Sequence, residues 1–214
     1  TKTLIIFIIL AIFVTVGPEI DVYISSLFFN EDKKFLIQSY YPISIFFRKI
    51  LLPLILIYVF ILPLVLRFFP LEKIYFGYKF SMSEISYIWV SGIVTMLLVV
   101  NVLLKNMWGR ARPNDVSYFN GIQDFTPWYK ISNACTSNCS FVSGDSSLGF
   151  LLIVFYFITK KNTYLYLGLI LGSSLGFIRI AAGGHFFSDI IFSQIVVTVT
   201  ILVSFVLYKK LYDK

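Results

Sequence analysis

Long apolar runs nearly free of charge recur along these 214 residues, and each is too hydrophobic for the surface of a soluble protein. The hydrocarbon layer of a bilayer is about 30 Å thick and takes roughly 20 apolar residues per helical crossing. Inside it no water satisfies backbone N–H and C=O groups, so only helices and closed barrels can span. The polar and apolar alternation of a barrel strand is absent, which predicts an all-α membrane bundle. A hydrophobic content of 58% puts the chain beyond ordinary soluble composition in the same direction.

Six transmembrane helices are read from the runs 4–16, 50–69, 85–104, 146–158, 164–178 and 188–208. The first has the length of a signal-peptide core, but Gly17, Pro18, Glu19, Ile20 and Asp21 follow it without a small-residue cleavage pattern, so it is taken as an uncleaved span. Residues 20–44 mix charges with Tyr23, Phe28, Phe29, Tyr40 and Tyr41, the composition of a short interfacial helix and loop. Pro53 and Pro63 fall inside the second span, where neighbouring groups re-satisfy the carbonyls that a proline frees. With no repeat, low-complexity tract or soluble boundary in view, residues 1–214 read as a single membrane-embedded domain.

The net charge of +7 is dispersed over short segments between the runs, which argues against a nucleic-acid-binding face. Topology accounts for it better. Six crossings put both termini on one side together with Lys73, Lys79, Lys160, Lys161, Lys209 and Lys210, and that side is expected to be cytoplasmic. The long polar segment 105–143 then faces outward. Arg48 and Lys49 run against this pattern and are unexplained by it. Cys135 and Cys139 lie close together in that segment, as a local disulfide in an oxidising compartment or as two free thiols. With one histidine in the chain, zinc ligation by Cys and His has little basis.

Three separated segments bring polar residues to the outward ends of the predicted spans. Lys105, Arg112 and Arg179 offer fixed donors and positive charge for a phosphoryl group, Arg as a planar fork and Lys as a point charge. Ser143 and Gly144 open a helix, whose first amides and dipole favour an anion. His185 is followed four residues later by Asp189, which shares its face if a helix begins there. A carboxylate on one imidazole nitrogen fixes the tautomer and leaves the other nitrogen to attack phosphorus, giving a phosphohistidine. A lone histidine is ordinarily a satisfied loop residue. Ionisable neighbours next to the membrane, here Arg179 and Asp189, favour function instead.

In this order, Lys-x6-Arg-Pro, Ser-Gly and Arg-x5-His-x3-Asp resemble the three signature motifs of the type-two phosphatidic acid phosphatase superfamily, membrane relatives of the vanadium haloperoxidases. The resemblance implies Lys105, Arg112, Ser143, Gly144 and Arg179 as phosphate ligands, His185 as nucleophile and Asp189 as its orienting partner. It also implies hydrolysis of a lipid phosphate without metal or other cofactor. The family's second motif usually reads Pro-Ser-Gly-His, and that His protonates the leaving group; here Asp145 follows Val142, Ser143 and Gly144. Ile178 likewise stands where the family has Ser. Three readings follow for Asp145: it replaces the His as general acid; the substrate is a pyrophosphate whose leaving group needs little protonation; or the chain binds lipid phosphates without turnover.

Trp108-Gly109-Arg110 and the acidic variant of the second motif are similar to bacterial lipid A phosphatases. That similarity implies lipid A (4′- or 1-phosphate) as substrate, with undecaprenyl pyrophosphate and phosphatidylglycerophosphate as competitors, and a bacterial inner-membrane protein whose site faces the periplasm. Arg110 either holds substrate or stays at solvated headgroups. Trp108, Trp128, Tyr118 and Tyr129 read as interfacial anchors, and Asp115, Asp124 and Lys130 as solvated loop surface. Gly168, Gly172 and Gly176, four residues apart, suit close helix packing.

Overall fold

The computed structural model describes residues 17–37, 40–69 and 78–212, and among them regular structure is helical, with only two isolated β-bridges. Helix α1, Pro18–Ser26, has Pro18 in its first turn with Glu19 and Asp21, residues that suit the positive end of a helix. Helix α2, Pro42–Phe60, contains a stretch of wide π turns, Phe46–Leu51, just ahead of Pro53. Proline lacks an N–H and crowds the carbonyl four residues back, and π turns re-register the hydrogen bonds around such a site. At Ile61 the helix breaks before Pro63 and resumes as α3, Leu62–Phe68. The expected second span, 50–69, is thus corrected: it starts earlier, at Pro42, and its second proline ends it. The expected first span, 4–16, lies outside the described residues.

Helix α4, Met82–Lys105, starts at a capping box in which the Ser81 hydroxyl and the Glu84 carboxylate satisfy each other's backbone amides. It is followed by α5, Gly144–Thr159, α6, Asn162–Ala181, and α7, Phe187–Tyr212. Helices α2, α4, α6 and α7 are long and apolar enough to cross a membrane; α5 is apolar but shorter. Its burial explains its character, since Leu148, Phe150, Leu151, Ile153, Val154 and Phe155 all sit in the main core.

Helix α5 lies against α6 through glycines. A Cβ on Gly149 would fall 2.6 Å from the Gly172 Cα, and one on Gly168 or Gly176 would strike Ile153 or Ile190. The packing role expected for the α6 glycines therefore holds, with Gly149 as its unforeseen partner. This contact fixes the start of α5 beside the end of α6.

The segment between α4 and α5 folds over that junction. Trp108 stacks on Phe141 with ring centroids 4.7 Å apart, and its Nε1 donates to the Trp128 carbonyl at 2.7 Å. Both tryptophans pack within the segment instead of projecting as anchors, whereas the Tyr118 and Tyr129 rings are exposed. Phe35, Ala111, Val116, Phe119 and Phe186 form a second small core beneath it. Cys135 and Cys139 are joined in a disulfide, which decides between the two readings of that pair.

Candidate active site

The chain turns from α6 into α7 through Gly183 and Gly184. Gly183 has φ +63°, a left-handed conformation that suits glycine. At Gly184 a Cβ would lie 2.2 Å from Arg179 Nη2, so only glycine lets that guanidinium rest against the turn. His185 follows, buried. Its Nδ1 is 2.7 Å from the Ser140 carbonyl and 3.6 Å from Asp189 Oδ2. A proton on Nδ1 is donated to that carbonyl, so Nε2 carries the lone pair, and among the described residues no hydrogen-bond partner for Nε2 is found. The i,i+4 pairing of His185 with Asp189 is present, but the nearer acceptor is a backbone carbonyl.

Burial pushes the His185 imidazole down to about 4, with Arg179 and Lys105 adding to the effect and Asp189 opposing it. A histidine depressed in the folded state stays neutral as pH falls through its ordinary 6.5, and whatever stability this neutral form confers is lost between that value and about 4. Because the chain has one histidine, its NMR titration reads this site alone. We expect the neutral Nδ1–H form through pH 6.5 and a midpoint at about 4; a midpoint at 6.5 would contradict the burial argument.

Behind the imidazole lies a closed polar cluster. Asp189 Oδ2 accepts from Ser140 Oγ at 2.5 Å and from the Phe186 amide at 2.8 Å, the latter capping the start of α7. Asp189 Oδ1 accepts from Arg110 Nη1 at 2.6 Å. The Arg110 guanidinium also donates from Nη2 to Asp21 Oδ2 at 2.7 Å, from Nη1 to Ser188 Oγ at 2.9 Å and from Nε to the Thr126 carbonyl at 2.8 Å. It lies 4.3 Å from the centroid of the Phe186 ring. Arg110 is 0% exposed, so neither role expected for it, on substrate or at solvated headgroups, is available; its charge is consumed by two buried carboxylates.

Next to the turn that carries His185 lies a polar cleft of about 240 Å³ lined by Arg48, Arg112, Asn114, Arg179 and Gly184, with Phe35, Ile37 and Ala182. Asp145 Oδ2 stands 3.4 Å from Nε of both Arg48 and Arg179. Although close, these groups are poorly aligned, and the buried Asp145 Oδ2 and Arg179 Nε atoms have no hydrogen bond. Buried polar atoms that lack a hydrogen bond beside a cleft are free to take one from a ligand or water there. Lys105 Nζ donates to Asn138 Oδ1 at 3.0 Å, and Arg112 Nη2 to the Asn138 carbonyl at 2.7 Å, so one residue holds both cations. Lys105 also reaches over the start of α5, where a Cβ on Gly144 would meet its Cε at 3.3 Å.

The Ser143 hydroxyl accepts from the Ser146 amide as the N-cap of α5, leaving the first-turn amides without an intrahelical acceptor. Lys105, Arg112, Ser143, Gly144, Asp145, Arg179, His185 and Asp189 thus converge on the junction of α4, α5, α6 and α7. Arg48, Asp21 and Ser140 lie at the same junction and were missed as site residues, and Arg110, read as a substrate or headgroup contact, lies there as the partner of two carboxylates. Arg48 had one available signal, its failure to fit the topological charge pattern.

Residues 86–213 match the PAP2 superfamily, and the chain belongs to that family. A protein of Francisella tularensis subsp. novicida (strain U112) named lipid A 4'-phosphatase is 42% identical over 121 residues, which is 55% of this chain and 53% of the relative. One of Rhizobium leguminosarum with the same name is 36% identical over 98 residues, 44% of this chain and 42% of the relative. The chain spans about half the length of the curated relatives it matches. No solved structure matches it.

Proposed function

We infer that the chain is a membrane lipid phosphatase that removes a phosphomonoester from lipid A through a phosphohistidine on His185. The observation that carries this reading is a neutral imidazole, held by Nδ1 with Nε2 unpartnered, beside a cleft whose guanidinium donors the protein leaves incompletely satisfied. Lys105, Arg112 and Arg179, with the first amides of α5, hold the phosphoryl oxygens and stabilise the charge that develops on them. Nε2 attacks phosphorus and the bond to the lipid oxygen breaks; Asp145 protonates that oxygen only after the phosphoryl group has displaced it from Arg48 and Arg179 and it has taken up a proton from solvent. Water then cleaves the phosphohistidine. The names of the relatives support lipid A over the pyrophosphate and glycerophosphate lipids.

The same reading takes 1–214 as one domain with six crossings, α5 and residues 4–16 included, and α1 as a helix at the membrane interface. The basic residues near the span ends put the cleft on the periplasmic face of a bacterial inner membrane. Phosphate release from lipid A, undecaprenyl pyrophosphate and phosphatidylglycerophosphate tests the assignment. Release from lipid A is expected to exceed the others. Asp145→Asn is expected to slow monoester release about 100-fold, the lower end for loss of a general acid. An unchanged monoester rate in that variant rejects Asp145 as the acid, and tight binding without release from any of the three identifies a lipid-phosphate binder.

A further inference from the structure

Asp189 offers two carboxylate oxygens, and neither is left to the imidazole alone. Oδ1 is taken by Arg110, while Oδ2 is taken by Ser140 Oγ and the Phe186 amide and stands 3.6 Å from His185 Nδ1. A carboxylate tied at both ends cannot swing onto Nδ1, so the imidazole proton goes to the Ser140 carbonyl at 2.7 Å. Ser140 therefore clamps both residues, its hydroxyl on Asp189 and its carbonyl on His185.

One of the groups that tie down Arg110 lies outside the matched family segment. Asp21, on α1, accepts Arg110 Nη2 at 2.7 Å and Ser188 Oγ at 2.5 Å on Oδ2, and the Ser188 amide at 2.8 Å on Oδ1. It is 2% exposed, and its three donors come from two segments far from it in the chain. Burial pushes the Asp21 carboxyl up, with Arg110 opposing it, while Asp189 is held by Arg110 directly. Attack by Nε2 forms the N–P bond while Nδ1 keeps its proton, so the ring becomes cationic beside the Asp189 carboxylate.

We propose that Asp21 is a positioning residue for His185: acting through Arg110 and Ser188, it fixes the Asp189 carboxylate and so the acceptor that the imidazole Nδ1–H meets and the heading of the ring. The proposal rests on His185 being the nucleophile. It makes α1, which precedes the family core, part of the reacting unit.

The test compares the full-length chain in lipid nanodiscs with Asp21→Asn and Ser188→Ala. The latter keeps both charges and removes the two hydroxyl bonds. Two readouts are taken: steady-state kinetics on a lipid phosphomonoester, and the nitrogen resonances of the sole histidine without substrate. In both variants kcat is expected to fall about 10- to 100-fold with KM within about twofold, the scale carried by partners that orient a functional histidine. The His185 Nδ1 resonance is expected to shift as the released Asp189 carboxylate competes with the Ser140 carbonyl for the Nδ1 proton. A purely structural role for Asp21 would leave those resonances unmoved in the folded protein.

Wild-type kcat or wild-type resonances in folded Asp21→Asn overturn the proposal. If that variant does not fold, the same outcomes in Ser188→Ala overturn it. The resonances are read without substrate, so a wild-type chain that releases no phosphate removes the phosphatase reading while the coupling of Asp21 to His185 is still decided.

Discussion

Replacing His185 with Ala is expected to lower phosphate release about 10⁴-fold or more, the loss typical of removing a nucleophile from a preorganised site. The chain has no second histidine to take over. The cations proposed to bind phosphate come from α2, α4, α6 and the segment after α4, so binding should survive: a product-inhibition constant for inorganic phosphate is expected within a few-fold of wild type. Residual hydrolysis then measures what the cradle alone contributes by orienting water. Release within tenfold of wild type would mean that another group attacks phosphorus, leaving His185 a structural residue.

The second large effect is on stability. Arg110→Ala strands Asp21 and Asp189, which are 2% and 0% exposed and, among the described residues, lose the one cation in direct contact with them. Breaking a buried ion pair by removing one partner costs about 3–5 kcal/mol, because the remaining charge has neither water nor a counter-ion. We expect Arg110→Ala to inactivate at markedly lower temperature in detergent, or to fail to accumulate. Arg112→Ala is the contrast. Its guanidinium borders the open cleft and holds the Asn138 carbonyl, so it should keep near-wild-type thermal stability and raise KM instead. Equal thermal stability of the two variants would contradict the division between a buried cluster that holds the nucleophile and an open cleft that holds phosphate.

The candidate site was legible in the sequence because ionisable groups are rare in so apolar a chain. Each of Lys105, Arg112, Arg179 and Asp189 stands at the edge of a long uncharged run, and their spacing carries the family pattern. The pairing of Arg110 with Asp21 was hidden for the opposite reason. The two are 89 residues apart, and no local periodicity joins a short amphipathic segment to the turn after α4. Taken alone, Arg110 read as a substrate or headgroup contact, and Asp21 only as part of an interfacial segment. Arg48 was left unexplained because topology treats a basic residue as a flank of a span, whereas the π turns before Pro53 carry it within α2 to the cleft.

Hydropathy marked the runs but not their ends. Pro63 terminates α2, and the helix starts at Pro42, in a stretch whose tyrosines and charges resemble an interface. The disulfide could be named only as one of two options, since spacing does not reveal redox state. Tertiary packing also overrode the aromatic pattern at Trp108 and Trp128, whose indoles close the loop over the site.

Rapid quenching during turnover of a substrate labelled in its phosphoryl group, followed by digestion and sequencing of the labelled peptide, tests the central claim most directly. The label is predicted on His185, in an acid-labile and base-stable bond, and absent from the Asp189→Ala protein at the same time point. Label on any other residue, or turnover with no labelled protein at the earliest quench, would contradict attack by the imidazole.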